Sequence, residues 1–224
     1  MRSVLSPEAA IVQVSQNGLV CSASAAALDA LRAAFDRSHC IRLRQFVAPG
    51  LLDLLQRHID RAEFYDRLHD GIGLELCMVD NAIALELHLL TNRPDLFRIV
   101  ERITGCGRIG SFEGRVYRMK PGGGHYDSWH GDVGDERMIG MSVNLSTEVF
   151  SGGLFQLREL APQSPILCEV ANTGFGDAIL FRISRQLCHR VTPMEGSAAK
   201  TAFAGWFKAQ LPMHPLLRKC AEGD

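Results

Sequence analysis

The chain has 224 residues, 46% of them hydrophobic, and its 24 basic and 25 acidic side chains leave a formal charge of −1. That is enough chain for one ordinary globular domain with a full core, and a near-neutral balance without basic runs argues against a nucleic-acid or membrane-surface binder. Seven cysteines without a CxxC pair read as reduced thiols rather than a disulfide framework or a zinc site. No apolar run reaches bilayer length and the N-terminus lacks a small-residue cleavage pattern, so a soluble, cytoplasmic protein is expected.

In chain order, IVQVSQNGLV alternates around Asn17-Gly18 and predicts a small hairpin. Ser24 is placed to cap a helix whose stripe includes Leu28, Leu31 and Phe35. CIRLR reads as a short strand. After Pro49-Gly50, the residues Leu51, Leu52, Leu55 and Ile59 recur at helical spacing. Ile83, Leu87 and Leu90 keep that period, Pro94 suits the first turn before Leu96, Ile99, Val100 and Ile103, and Gly105 suits the stop. From about Arg108 the texture changes to short runs: GRVYRMK, MIGMSVNLS, GLFQLRE, PILCEVA, DAILFRI, LCHRVTP and KTAFAGWF. Many short strands punctuated by turn residues predict a sandwich or barrel, with a cupin-like jelly roll as the natural candidate. The fold class expected is therefore α+β: a double-stranded β-helix with an N-terminal helical supporting layer. It is divided as support over residues 1–107, a jelly-roll core over 108–212 and a tail over 213–224, all one integrated domain.

The chemistry concentrates in WHGD and LCHRVTP. His130, Asp132 and His189 make a 2-His-1-carboxylate set, which on one face of a non-haem Fe(II) leaves other positions open. His130 and Asp132 are expected at or just before the MIGMSVNLS strand, where residues two apart share a face; His189 comes from a late strand. An HxD is common by chance, and His125-Tyr126-Asp127 is a second one. His130 is preferred because an apolar strand follows it, whereas His125 lies in the glycine-rich PGGGHYD loop. That loop lacks the GK[ST] of a phosphate cradle and reads as a backbone bend. On residues alone, a jelly-roll metal protein and a non-catalytic sandwich both remain open.

Five motifs in order resemble Fe(II)/2-oxoglutarate-dependent oxygenases of the prolyl-4-hydroxylase-like group: GRVYRMKPGG, WHGD, SVNLSTEVFSGGLFQLRE, GFGDAILF and LCHRVTPMEGSAAKTAFAGWF, together spanning about Arg115 to Phe207. The resemblance implies Fe(II) held by His130, Asp132 and His189, with 2-oxoglutarate and O₂ as co-substrates. It implies hydroxylation of an unactivated C–H bond with release of succinate and CO₂. Lys200, eleven residues after His189, corresponds to the family's basic residue for the far carboxylate of 2-oxoglutarate, with Arg190 and Arg182 as fallbacks. Tyr117 corresponds to a tyrosine that hydrogen-bonds 2-oxoglutarate in several relatives. A carboxylate at 132 favours hydroxylation over halogenation. Strand alternation groups Lys200, Ala202, Ala204 and Trp206 on one face, Arg115, Tyr117 and Met119 on another, and Ser142 with Asn144 as weaker pocket candidates. Cys188 should point away from His189 and pack, and Gly152-Gly153 and Gly176-Asp177 read as turns. Arg115, Arg118, His125 and Tyr126 are candidates for the entrance. The partner expected is a small-molecule, amino-acid or peptidyl substrate; the oligomeric state is left open. The alternative is a cupin-like metal protein that does not use 2-oxoglutarate.

Overall fold

The computed structural model describes residues 10–79 and 82–211; the expected tail over 213–224 lies outside them. The chain opens with the hairpin β1 (Val12–Ser15) and β2 (Gly18–Cys21), as the Asn17-Gly18 signal predicts. Helix α1 (Ala25–Ser38) follows, with the Ser24 hydroxyl accepting from the Ala27 amide, and leads into β3 (Cys40–Leu43). Helix α2 (Pro49–Ile59) starts on proline and buries Leu51, Leu52, Leu55 and Ile59. Strands β4 (Phe64–His69) and β5 (Gly73–Met78) form a second hairpin before α3 (Ala82–Thr91) and α4 (Pro94–Thr104). Helix α4 stops at Gly105, whose φ of 57° is the left-handed conformation glycine adopts without a Cβ penalty.

The remaining strands are β6 (Ile109–Met119), β7 (Tyr126–His130), β8 (Arg137–Asn144), β9 (Ser151–Gly152), β10 (Phe155–Glu159), β11 (Ile166–Val170), β12 (Ala178–Arg182), β13 (Leu187–Val191), β14 (Met194–Glu195) and β15 (Lys200–Ala209). Eleven strands form one antiparallel sheet in the order β11-β10-β13-β7-β5-β6-β15-β8-β12-β3, with β4 on the other edge of β5. The sheet curls until its halves face each other: the rings of Phe155 on β10 and Phe181 on β12 lie 4.6 Å apart. This nearly closed antiparallel barrel is the expected jelly roll.

One half, β3-β12-β8-β15-β6, carries the helices on its outer face. Phe112, Val116, Ile139, Val143, Leu180, Phe203 and Phe207 pack there against Phe35, Leu55, Leu96, Val100 and Ile103. Each such buried side chain contributes about 1.5–3 kcal/mol of transfer free energy. Period-two alternation then turns Arg115, Tyr117, Ser142, Lys200 and Trp206 to the inner face, where they line a cavity.

Two local expectations change. The β4–β5 hairpin, in a half read as mainly helical, is part of the main sheet. His130 and Asp132 do lie before the strand MIGMSVNLS, but not on one shared strand: His130 ends its own strand, β7, and Asp132 sits in the connection to β8. Pairing within β7 and β13 sets His130, and the following turn rather than strand alternation brings Asp132 back to it.

Candidate metal centre and its cavity

β7 and β13 pair so that His130 stands directly opposite His189, with ring centroids 4.4 Å apart. One ligand atom from each of His130, Asp132 and His189 lies within 4.8 Å of the others. Asp132 Oδ2 is 3.4 Å from His189 Nε2, and Oδ1 is 3.7 Å from His130 Nε2. His130 Nδ1 lies 2.8 Å from the Ser128 carbonyl and 3.3 Å from Asp127 Oδ1. A carbonyl can only accept, so that contact holds the proton on Nδ1 and leaves the Nε2 lone pair facing Asp132. Two imidazoles and a carboxylate with converging lone pairs form a donor set suited to Fe(II).

Asp132 is held from the other side of the barrel. Burial pushes its carboxyl up, but the contacts from His189, the Trp206 indole N–H and His130 outweigh burial and hold it well below the ordinary carboxylate range. The Trp206 Nε1–H donates to Asp132 Oδ2 over 2.5 Å, and Arg137 Nη1 stands 3.7 Å from Oδ1. Asp127, which also lines the cavity, responds in the opposite direction: burial raises its carboxyl, with His130, His189 and Lys200 opposing.

The cavity has a volume of about 410 Å³ and reaches from the β4–β5 hairpin past the two histidines to Lys200. Lys200 is 4% exposed, and burial lowers its ammonium to about 8, with Asp127 opposing. Its Nζ donates to the Gly153 carbonyl at 2.9 Å, the one hydrogen bond this three-donor group makes among the described residues. Tyr117 also faces the cavity; burial, reinforced by the charges of Glu75 and Asp127, raises its phenol.

The other expected residues divide clearly. Arg190 bonds Gln156 and stacks on Trp129, and Arg182 bonds Asp36 and the Thr104 carbonyl on the helical side, so neither reaches the cavity. Arg115 and Tyr126 line it, whereas Arg118 turns to Thr201 and Phe64. His125 is tied into the β6–β7 turn, its Nδ1 accepting from the Lys120 amide, and stands apart from the histidine pair. Ser142 lines the cavity, while Asn144 bonds the Gly174 carbonyl and the Ser146 amide and supports the loop. Cys188 is buried with its thiol toward the Glu159 carbonyl.

Sequence reasoning missed Asp127, Arg137 and the wall built by His69 and Glu75. Asp127 was in view as part of the second HxD. The hairpin carried a legible sign, Asp70-Gly71 between the alternating runs FYDRLH and GLELCM.

Residues 114–208 match the family model described as the 2OG-Fe(II) oxygenase superfamily. No curated protein matches the chain. Among solved structures, a Pseudomonas putida prolyl-4-hydroxylase is similar at a TM-score of 0.59 with 16% identity, covering 82% of this chain and 100% of that one. A Trichoplax adhaerens prolyl hydroxylase, solved with a hypoxia inducible factor peptide fragment, gives 0.59 at 15% identity, covering 82% and 90%. The 2-oxoglutarate-dependent epimerase SnoN of nogalamycin biosynthesis gives 0.59 at 12%, covering 83% and 84%. These likenesses give the fold, and over residues 114–208 the chain is similar to the 2OG-Fe(II) oxygenase superfamily, whose members use Fe(II), 2-oxoglutarate and O₂.

Proposed function

We propose that the chain is a 2-oxoglutarate-dependent hydroxylase in which His130, Asp132 and His189 hold Fe(II), while Lys200 and Tyr117 bind the 2-oxoglutarate. The observation that carries this reading is one cavity with three converging ligand atoms in its wall and a nearly sealed ammonium at its end. A buried ammonium with one carbonyl partner retains donors for a carboxylate, and a compact cation suits the terminal group of a short diacid. When bound, the iron would use O₂ and 2-oxoglutarate to hydroxylate an unactivated C–H bond, one oxygen atom going to the product alcohol and the other to the succinate formed as 2-oxoglutarate loses CO₂.

The protein's own part is positional. Ser128 fixes the tautomer that presents His130 Nε2; His189 first and then Trp206 keep the Asp132 carboxylate anionic, and the Trp206 indole N–H orients it. Tyr117 offers its phenol O–H from the inner face of β6, and its raised proton affinity keeps it a donor. Phe155 and Phe181 pack beside His189 and close that flank to water. Asp132 would be a ligand to the iron, and by the family resemblance a carboxylate at this position favours hydroxylation over halogenation. The helices within residues 1–107 serve as the supporting layer, while β3, β4 and β5 from the same half complete the sheet of the core, and the substrate is a small molecule or an amino-acid or peptidyl group.

The test is anaerobic titration of Fe(II)-loaded protein with 2-oxoglutarate, following the visible charge-transfer band of a 2-keto acid chelated to ferrous iron. The band is expected in the parent protein, absent in His130→Ala and weakened in Lys200→Ala. Iron binding without a band would reject the 2-oxoglutarate reading and favour a cupin-like metal protein.

A further inference from the structure

The mouth of the cavity contains a charged cluster that neither the metal nor the Lys200 end uses. Arg115, on the inner face of β6, donates from Nε to Glu75 Oε1 on β5 at 2.6 Å. His69 on β4 lies 3.3 Å from the same Glu75 oxygen and 3.4 Å from Arg115 Nη2. Nη1 makes no hydrogen bond among the described residues. The guanidinium is therefore fixed along one edge, and part of its fork remains available toward the cavity. Trp206 connects this cluster to the metal centre: Arg115 sits 5.6 Å from the indole centroid, and the same indole donates to Asp132.

We propose that Arg115 is the substrate-docking cation, and that the substrate is a small organic acid whose carboxylate binds this fork. This rests on the iron and 2-oxoglutarate reading of the neighbouring centre. A planar guanidinium pairs with a planar carboxylate through parallel N–H bonds, so docking there sets orientation as well as affinity. One indole separates the fork from the Asp132 side of the metal site, so a carbon a short way along the acid from its carboxylate lies against the centre. Glu75, already paired with Arg115 at 2.6 Å, offsets much of its charge and so favours a singly charged carboxylate over a dianion such as a phosphate ester there. With 2-oxoglutarate also inside about 410 Å³, the acid must be small.

The competing reading is that Arg115 and Glu75 only tie β6 to the β4–β5 hairpin, and two substitutions separate the alternatives. Glu75→Gln removes the tie's charge but leaves the docking cation, whereas Arg115→Gln removes both. The probes are free L-amino acids and straight-chain and aromatic carboxylic acids, each paired with its own carboxamide. Binding is read by saturation-transfer NMR on protein holding excess 2-oxoglutarate, with and without Mn(II), and Mn(II) occupancy is followed by EPR on the same samples.

At least one acid should bind tenfold or more tightly than its amide. That preference should be lost in Arg115→Gln and kept in Glu75→Gln, with Mn(II) occupancy unchanged in all three proteins. No acid exceeding its amide, a preference that survives Arg115→Gln, or equal losses in the two variants would overturn the proposal. A protein that binds no Mn(II) would instead overturn the reading of the metal centre, a separate outcome because the acid–amide comparison is also made without metal.

Discussion

As the proposed anchor for the far carboxylate of 2-oxoglutarate, Lys200 would set function against stability. Its ammonium is 4% exposed, and burial lowers it from the ordinary 10.5 to about 8. At about 1.4 kcal/mol per pH unit, that gap is on the order of 3 kcal/mol by which the charged lysine disfavours the metal- and co-substrate-free fold at pH 7. Lys200→Met keeps the length of the side chain and removes the charge, while leaving the Gly153 carbonyl without its donor at a cost of roughly 1–2 kcal/mol. The variant should therefore be more stable by about 1–2 kcal/mol, melting roughly 2–8 °C higher. The sign of the pH dependence follows from proton counting. From about pH 8 to 10.5 the unfolded lysine holds a proton that the folded one has lost, so the parent protein gains stability as pH rises and the variant's advantage disappears. Urea or thermal unfolding at pH 7 and pH 10 measures this directly. With Mn(II) present, 2-oxoglutarate should raise the melting point of the parent and raise that of the variant much less. A variant less stable than the parent at pH 7, or a stability gap indifferent to pH, would refute the reasoning and make Lys200 a structural tie to Gly153.

Trp206→Phe keeps an aromatic ring and deletes the indole N–H on Asp132; Mn(II) affinity measured by EPR should fall about 10–100-fold with little change in melting point. His130→Ala should abolish Mn(II) binding and His125→Ala should leave it intact, at a stability cost of about 1 kcal/mol for the lost Lys120 contact; equal losses would reinstate the upstream HxD. Gly205 lies where a Cβ would come within 1.9 Å of the Glu113 carbonyl oxygen and 2.4 Å of Gly114 Cα on the facing strand. Gly205→Ala should destabilise the protein by on the order of 3 kcal/mol, read from urea midpoints, because the obstruction is backbone and cannot rotate away.

Much of this was legible in the chain because it depends on local rules. Caps and prolines marked the helices at Ser24, Pro49, Pro94 and Gly105, and alternation correctly turned Lys200, Trp206, Arg115 and Tyr117 inward. Spacing alone could not choose between the two HxD sequences. The apolar strand after WHGD pointed to His130, although the residue itself sits on the polar strand YDSWH, which alternation does not reveal. Residues whose roles come from topology were not legible. Glu75 and His69 face Arg115 only because β5 pairs with β6 and β7, a long-range arrangement with no mark in local pattern. Arg137 reaches Trp206 only because β15 and β8 are neighbours, with the guanidinium 3.9 Å from the ring centroid.

The position of β5 also bears on how the molecule is assembled. Leu76 and Cys77 pair with β6, Gly73 and Leu74 with β7, and among the described residues these pairs are the only backbone ladder joining the two halves of the barrel. The segment that matches the oxygenase family begins at residue 114, after this splice. Cut out on its own, that segment would be two sheets joined by turns, each with an open edge and a tendency to pair with its neighbours in solution. On a ribosome the order is reversed: the β4–β5 hairpin emerges early and must wait for β6 and β7 before its free edge is satisfied. Closure over so long a stretch of chain is slow compared with helix formation, which makes the exposed edge of β5 the point where a chaperone, or a misfolded neighbour, has most time to act.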